Sequence, residues 1–343
     1  MAMAESQRFD RLTSFASLLR AASLAARGAR GSDALRFLIE REAQVLALQD
    51  DLRRGAYRPA AYRTFTISDP KPRTISAAAF RDRVVHHALC AEIEADLERG
   101  ASHASFACRK GKGTLAAVWF AAGLARQHPF ALKLDVEHFF ETLSHDVLLA
   151  MLRARLREPA LLALAEVFVR AGAPGSEPGR GVPIGNLTSQ HFANFYLGAL
   201  DRFVTRGRGV RAYVRYMDDV LVFAPSKDAL WAHAAAIDAF TRDRLALRLK
   251  ARVTQVLPVT EGVPFLGFRL FPAVVRLDGA RRRRLVRRVR ALERELTRGG
   301  ESATSALASL QSLVAWSRWG HTRGLRRSLF ARSGAAGRGD DGR

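Results

Sequence analysis

The hydrophobic positions of this chain follow two periods, and the switches between them outline its elements. Leu12, Phe15, Leu19 and Ala22 recur at helical spacing, and Leu35, Leu38, Ile39, Val45 and Leu46 repeat the signal beyond Gly28 and Gly31. Two N-terminal helices are predicted, the second ended by Tyr57-Arg58-Pro59. Arg63-Thr64-Phe65-Thr66-Ile67 alternates as a strand does, Ser68-Asp69-Pro70 reads as a turn, and Lys71-Pro72-Arg73-Thr74-Ile75 returns as a second strand. A helix is expected from Phe80 to Glu98. Phe130-Ala131-Leu132-Lys133-Leu134-Asp135-Val136 reads as a buried strand ending in a carboxylate. Ser144 can cap a helix that runs to Arg157 and stops before Pro159. A Gly/Pro-rich loop over 172–185 precedes helical spacing over 187–203. Tyr213-Val214-Arg215-Tyr216-Met217-Asp218-Asp219-Val220-Leu221-Val222-Phe223 then predicts strand, tight turn, strand, with both aspartates at the turn. A helix over 228–245 and a strand Phe265-Leu266-Gly267-Phe268-Arg269-Leu270 follow. Eight arginines crowd residues 281–294, and Leu285, Val289, Leu292 and Leu296 fall among them at i, i+4, i+7 and i+11, which makes an amphipathic helix with a cationic face. The tail from Ser333 is Gly-rich and expected to be disordered.

Composition narrows the class. At 343 residues and 48% hydrophobic, the chain has room for two or three subdomains around a continuous packed core. Its net charge of +22 favours a polyanionic partner, although a genome rich in G and C also enriches arginine. The cationic helix has one acid in its run, Glu293, so its self-repulsion points to nucleic-acid backbone; Arg283, Arg284, Arg287 and Arg288 are the expected contacts. Two cysteines, Cys90 and Cys108, cannot by themselves build a disulfide framework or a four-ligand zinc site. His86 and His87 beside Cys90 lack an acidic partner and read as packing. The apolar stretch over 116–125 is too short to span a bilayer. Glu5, Arg8 and Asp10 precede any apolar run, which argues against a secretory signal and for the cytoplasm.

Three carboxylates carry the candidate chemistry. Asp135 ends a hydrophobic strand, and Asp218 and Asp219 follow 83 residues later on a hairpin. Spacing alone does not show that they meet. If they do, oxygen ligands on rigid strand ends suit Mg²⁺. Two such ions would activate an attacking hydroxyl and stabilise the leaving group of an in-line phosphoryl transfer.

With these residues in place, the chain resembles a reverse transcriptase over roughly 57–271. Lys71-Pro72-Arg73-Thr74-Ile75 with Phe80-Arg81-Asp82-Arg83 resembles the fingers motifs, and Ser105-Phe106-Ala107-Cys108-Arg109-Lys110-Gly111-Lys112-Gly113-Thr114 the next block. Leu134-Asp135-Val136-Glu137-His138-Phe139-Phe140 resembles palm motif A, Tyr216-Met217-Asp218-Asp219 motif C, and Phe265-Leu266-Gly267-Phe268 the primer grip. The resemblance implies an α+β right hand with an antiparallel palm sheet, helical fingers and a small helical thumb. Its subdomains would be an N-terminal helical extension over 1–56, fingers over 57–130, palm over 131–275 with fingers helices within 150–185, a basic thumb over 276–332 and the tail over 333–343. The same layout implies no RNase H or endonuclease domain after the thumb.

The same resemblance implies roles. Asp135 and Asp218 are direct metal ligands, with the Val136 carbonyl, and Asp219 is a supporting carboxylate. Lys71 and Arg73 contact the incoming triphosphate, where a planar guanidinium suits phosphate. Phe140, beside Phe139, is the steric gate that leaves no room for a 2′-hydroxyl. Phe265, Leu266 and Gly267 hold the primer. Related enzymes often carry Lys-Thr after the palm hairpin. Val253-Thr254 aligns there, which leaves Lys250 or Arg252 as the candidate proton donor to pyrophosphate.

Val182-Pro183-Ile184-Gly185-Asn186-Leu187-Thr188-Ser189-Gln190 carries the subfamily signal. Most reverse transcriptases have Gln at the position of Ile184 and Pro at that of Gln190; the pattern here resembles diversity-generating retroelements. Those enzymes copy template-repeat RNA with errors opposite adenine, and the cDNA diversifies a target gene by mutagenic retrohoming. The implied partners are template-repeat RNA, the cDNA/RNA hybrid, dNTPs and a basic, oligomeric accessory variability protein. Two Mg²⁺ ions are implied, with Mn²⁺ as substitute. Ile184, Gly185 and Gln190 would line the nucleotide site. Isoleucine offers no amide to the incoming nucleotide, and an apolar contact discriminates by only ~1–3 kcal/mol. Two alternatives stay open: another bacterial reverse transcriptase of retron or abortive-infection type, and an idle RNA-binding protein that kept the fold.

Overall fold

The computed structural model describes residues 7–29, 31–68, 72–298 and 302–335. The chain forms two compact units that exchange segments along the sequence. The first comprises Met1–Cys108, Asp135–Gly209 and Ala235–Ala251; the second comprises Arg109–Leu134, Val210–Ala234 and Arg252–Arg343.

The first unit is mainly helical. It starts with α1 (Gln7–Leu12), α2 (Phe15–Ala25), α3 (Ser32–Ile39) and α4 (Arg41–Arg53). Each of the two helices expected from the sequence is thus broken in two. Ser14 explains the first break: its hydroxyl caps α2 by accepting from the Ser17 amide, which competes with a continuous helix through Thr13. The apolar stripe is also rotated from the one expected. Ala34, Phe37, Val45, Leu48 and Leu52 are buried, whereas Leu35, Ile39 and Leu46 are exposed. The hairpin β1 (Arg63–Ser68) and β2 (Pro72–Ala77) pairs antiparallel, Arg73 opposite Ile67. The expected turn at 69–70 and Lys71 lie outside the described residues.

At the centre of this unit lies α5 (Phe80–Glu98), packed against α1, α2, α3, α9 (Pro159–Arg170) and α10 (Leu187–Arg202). Its sequence is apolar on several sides, as a helix enclosed by neighbours requires. His86 is buried there, edge-on to Phe168 with ring centroids 4.3 Å apart and 3.2 Å from the Thr188 hydroxyl; burial, with His87 and Arg83 adding to it, pushes its pKa down to about 3. Burial likewise raises the Cys90 thiol. Both groups are packed in the interior of the unit. The short α7 (Phe139–Thr142) and α8 (His145–Arg155) complete the unit's helices, together with the C-terminal part of α11 (Lys227–Leu245). Ser144 caps α8 by accepting from the Val147 amide, and Pro159 opens α9 at its first turn, where no amide is needed. α10 ends in a π-turn over Phe203–Gly207.

The second unit holds two sheets. The four-stranded sheet has the order β4 (Tyr213–Tyr216), β5 (Asp219–Ala224), β3 (Phe130–Leu134), β6 (Gln255–Pro258), all antiparallel. Ala131, Leu132 and Leu134 of the central β3 are buried, in keeping with its apolar run. Helix α6 (Thr114–Gln127), which covers the apolar stretch over 116–125, packs on β4 and β5. The other sheet is β7 (Val263–Phe265), β8 (Phe268–Leu270) and β9 (Val275–Leu277). One expected strand, 265–270, is therefore a hairpin. Leu266 and Gly267 have φ of +47° and +77°, the left-handed pair that a tight I′ turn needs, and a strand cannot pass through it.

The basic helix is α12 (Gly279–Arg298), followed by α13 (Ser302–Ser317) and α14 (Arg323–Ala335). Helix α14 carries on through the first three residues of the stretch expected to be disordered; 336–343 are outside the described residues. Among the described residues no helix is long and apolar enough to cross a membrane.

Candidate active site

In the second unit, Asp218 and Asp219 differ in backbone role. Tyr216 pairs with Asp219, so the turn is Met217-Asp218 and Asp219 is already the first residue of β5. The expectation that both aspartates sit in the turn is corrected here: closing the β4–β5 ladder at Tyr216 leaves only two residues to connect the strands. Met217 has φ of +53°, a costly conformation for a residue with a Cβ. Arg215 helps to hold it. Its side chain is fully buried, and its Nη1 donates to the Met217 carbonyl at 3.0 Å. Thr114 Oγ1 donates to the Tyr216 hydroxyl at 3.1 Å. Asp219 accepts from Lys133 Nζ at both carboxylate oxygens, 3.0 and 3.2 Å away.

In the first unit, Asp135 is flanked by a β-bridge between Val136 and Leu249. The Lys250 amide donates to the Asp135 carbonyl at 2.8 Å, and the Glu137 amide to the Arg248 carbonyl at the same distance. Lys250 Nζ lies 2.9 Å from Asp135 Oδ1. Of the two candidate proton donors, Lys250 pairs with a proposed metal ligand. Phe139 is buried against Tyr196, and Phe140 is half-buried beside it, ring centroids 5.4 Å apart. The Phe140 carbonyl accepts from the Val182 amide at 2.7 Å, tying the gate candidate to the 182–190 block.

That block is held to the β1–β2 hairpin. The Ser76 amide donates to the Ile184 carbonyl at 2.9 Å. Gly185 has φ of +110°, and a Cβ there would come within 2.9 Å of Ile75 Cγ2, so side chains are excluded twice over. Gln190 lies on the first turn of α10, its Oε1 3.6 Å from the Cys108 sulfur. Arg73 is exposed on β2. In the second unit, Phe265 is buried and Leu266-Gly267 form the hairpin tip. Arg281 lies over the Phe268 ring, 5.5 Å from its centroid, and fills the space a Gly267 Cβ would need. Arg283, Arg284, Arg287 and Arg288 are exposed on α12, while Leu285, Val289 and Leu292 are buried. Arg284, Arg287 and Arg288 line a cleft of about 840 Å³ with Arg281, Ala291 and Leu313; Arg283 is not among its lining residues.

Among the described residues no three His, Cys, Asp or Glu side chains are gathered as around a bound ion. Asp135 and Asp219 nevertheless suit a hard divalent cation chemically, as carboxylates 26% and 21% exposed that already attract ammonium groups.

The profile of the reverse transcriptase (RNA-dependent DNA polymerase) family matches residues 68–270, more than half of the chain. The chain belongs to that family. The α+β right-hand polymerase class expected from the sequence stands with it. Protein YkfC of Escherichia coli K12 is 26% identical over 270 residues, 65% of this chain and 70% of that protein. A protein of Saccharomyces cerevisiae ascribed to intron 1 of COX1/OXI3 is 23% identical over 164 residues, 46% of this chain but only 20% of its own length. Among solved structures, Candida albicans telomerase in complex with a fragment of telomeric RNA is 14% identical, with a TM-score of 0.47 over 65% of this chain and 46% of that one. Apo telomerase from Candida tropicalis is 9% identical, with a TM-score of 0.49 over 64% of this chain and 49% of that one.

Lys133, Arg215 and Thr114 make hydrogen bonds to the aspartate hairpin, and the sequence pattern assigned them no role. Lys133 had one local signal, a lysine in the middle of an otherwise buried strand. Arg215 had a similar one in β4.

Proposed function

We propose that this reverse transcriptase copies template-repeat RNA into cDNA with errors concentrated opposite adenine, as the polymerase of a diversity-generating retroelement. The observation that carries the reading is the 182–190 block, where Ile184 and Gln190 stand in place of the more usual Gln and Pro. Ile184 is half-buried and its carbonyl is engaged with Ser76, so the position is held while its side chain offers no hydrogen bond. A nucleotide read through shape and apolar contact is discriminated weakly.

In this reading Asp135, Asp218 and the Val136 carbonyl hold two divalent ions, Mg²⁺ with Mn²⁺ as substitute, and Asp219 supports them. The ions supply activation of the primer hydroxyl and neutralise the leaving pyrophosphate. Arg73 and Lys71 bind the triphosphate. Phe140, backed by Phe139, selects deoxynucleotides. Lys250 or Arg252 gives the proton to pyrophosphate. Leu266 and Gly267 at the hairpin tip, with Phe265 beneath, hold the primer, and the α12 arginines hold the hybrid backbone. Template-repeat RNA, dNTPs and a basic accessory variability protein are the partners, in the cytoplasm. The fingers over 57–130, palm over 131–275 and thumb over 276–332 follow the family's subdomains.

Primer extension on an RNA template, with and without Mg²⁺, followed by sequencing of the products, tests this. Mg²⁺-dependent cDNA with errors concentrated opposite adenine is expected. Errors spread evenly over the four template bases would assign the chain to a retron or abortive-infection type. Absence of any metal-dependent extension would leave an idle RNA-binding protein.

A further inference from the structure

Lys133 is the one cation of β3, an interior strand of the sheet that carries the aspartate hairpin. Its neighbours Leu132 and Leu134 are buried, and it pairs in register with Leu221 of β5 and Gln255 of β6. Side chains two residues apart on a strand share a face, so Asp219, two residues from Leu221, faces the same way as Lys133. The ammonium has three donors, and three acceptors meet it: the two Asp219 oxygens at 3.0 and 3.2 Å and the Pro264 carbonyl at 3.0 Å. Pro264 lies in β7, opposite Arg269 of β8, and Phe265, the last residue of β7, leads into the hairpin tip Leu266-Gly267. The two side chains are only 17% and 21% exposed, so water screens this pair less than it would a surface pair.

The three contacts link two different sheets. No strand of the β7-β8-β9 sheet is hydrogen-bonded to the β4-β5-β3-β6 sheet in the strand order. A lysine whose donors are divided between a carboxylate on one sheet and a main-chain carbonyl on the other is therefore a clasp. We infer that Lys133 is a positioning residue that fixes the primer-holding hairpin relative to the aspartate hairpin, with Asp219 serving as the anchor of that clasp. This rests on the proposed primer role of Phe265, Leu266 and Gly267. It also gives Asp219 a function distinct from ligation: its oxygens hold the ammonium that holds the hairpin.

The experiment uses the full chain with Lys133→Met and Lys133→Gln, and with Asp219→Asn, which keeps the lysine but weakens its anchor. Amide hydrogen exchange over 263–270 is measured without nucleic acid, and the affinity for a recessed RNA–DNA primer–template is measured without nucleotide. Loss of a charged hydrogen bond predicts exchange faster by about tenfold or more at β7 and β8, with β9 less affected, in all three variants. Primer–template affinity should fall by a similar factor in all three, and in the two Lys133 variants KM for the nucleotide should stay nearly unchanged. The Lys133→Met/Asp219→Asn double variant should be no worse than Lys133→Met alone, because the lysine already carries every contact of the clasp. Should Lys133→Met fail to fold, Lys133→Gln and Asp219→Asn carry the same test. Unchanged exchange at 263–270 would overturn the clasp. Faster exchange with unchanged primer affinity would instead overturn the primer role of the hairpin, and the positioning role with it.

Discussion

The arginine face of α12 yields a prediction whose size follows from which side chains are placed for it. The sequence offered four arginines alike, Arg283, Arg284, Arg287 and Arg288, and all four are exposed. Only Arg284, Arg287 and Arg288 line the cleft beside Leu285, Ala291 and Leu313, and Arg283 is absent from that lining. Each phosphate contact that releases a counterion contributes about 0.7–0.9 to the slope of log K against log salt, the lower figure for single strands and the upper for duplex. Replacing Arg284, Arg287 and Arg288 with Gln should therefore make the slope shallower by about 2–3. Over a fourfold rise in KCl, the parent protein should lose roughly 20–40-fold more affinity than the triple variant. Arg283→Gln should change the slope by much less than one contact's worth. Leu285, Val289 and Leu292 keep the helix packed in every variant, so melting temperatures should stay close together. The assay is fluorescence anisotropy of a labelled RNA–DNA hybrid across a KCl series, repeated with hybrids of unrelated sequence, since backbone contacts carry no base preference. A triple variant with the parent's slope would refute the reasoning and place these arginines toward solvent or protein. A slope change carried by Arg283 alone would refute the choice of the cleft.

Four further outcomes are expected. Asp218→Ala should abolish primer extension by several orders of magnitude while hybrid affinity stays near that of the parent; retained extension in the purified variant would remove Asp218 from the metal site. Ile184→Gln should reduce errors opposite template adenine about fivefold, the worth of one hydrogen bond of ~1 kcal/mol, read as a changed ratio of kcat/KM values for right and wrong nucleotides, and an unchanged error spectrum would make Ile184 a bystander. Gly267→Ala should destabilise the protein by ~1–3 kcal/mol, because the residue sits at φ +77° and its Cβ would displace Arg281; a melting temperature equal to the parent's would contradict the turn geometry. His86, with its pKa held near 3 against an ordinary 6.5, stays neutral when folded and takes a proton when unfolded. Stability from this group is thus complete above pH 6.5 and is lost as pH falls toward 3, by up to about 1.4 kcal/mol per pH unit, and urea unfolding should show a shallower acid decline in His86→Gln than in the parent.

The sequence by itself determined the parts of this protein that depend on short-range pattern. Alternation and turn residues were enough to place the β1–β2 and β4–β5 hairpins, Ser144 marked the start of α8, and the apolar run before Asp135 marked a buried strand. The ordered motifs were enough for the family, because a series of blocks in the right order is far more specific than any one of them. Tertiary structure decided what local pattern leaves open. Helical spacing around Leu35 and Ile39 is satisfied by more than one rotation of the helix, and packing buried Ala34 and Phe37 instead. The run Phe265-Leu266-Gly267-Phe268 has the hydrophobicity of a strand, but left-handed backbone at Leu266 and Gly267 folds it into a hairpin tip. Partners of buried charges were the least legible of all. Nothing within a few residues of Lys133 indicates that its ammonium will find Asp219, 86 residues on, and the Pro264 carbonyl, 131 residues on. A buried cation must find acceptors, and which ones it finds depends on the strands that pair around it.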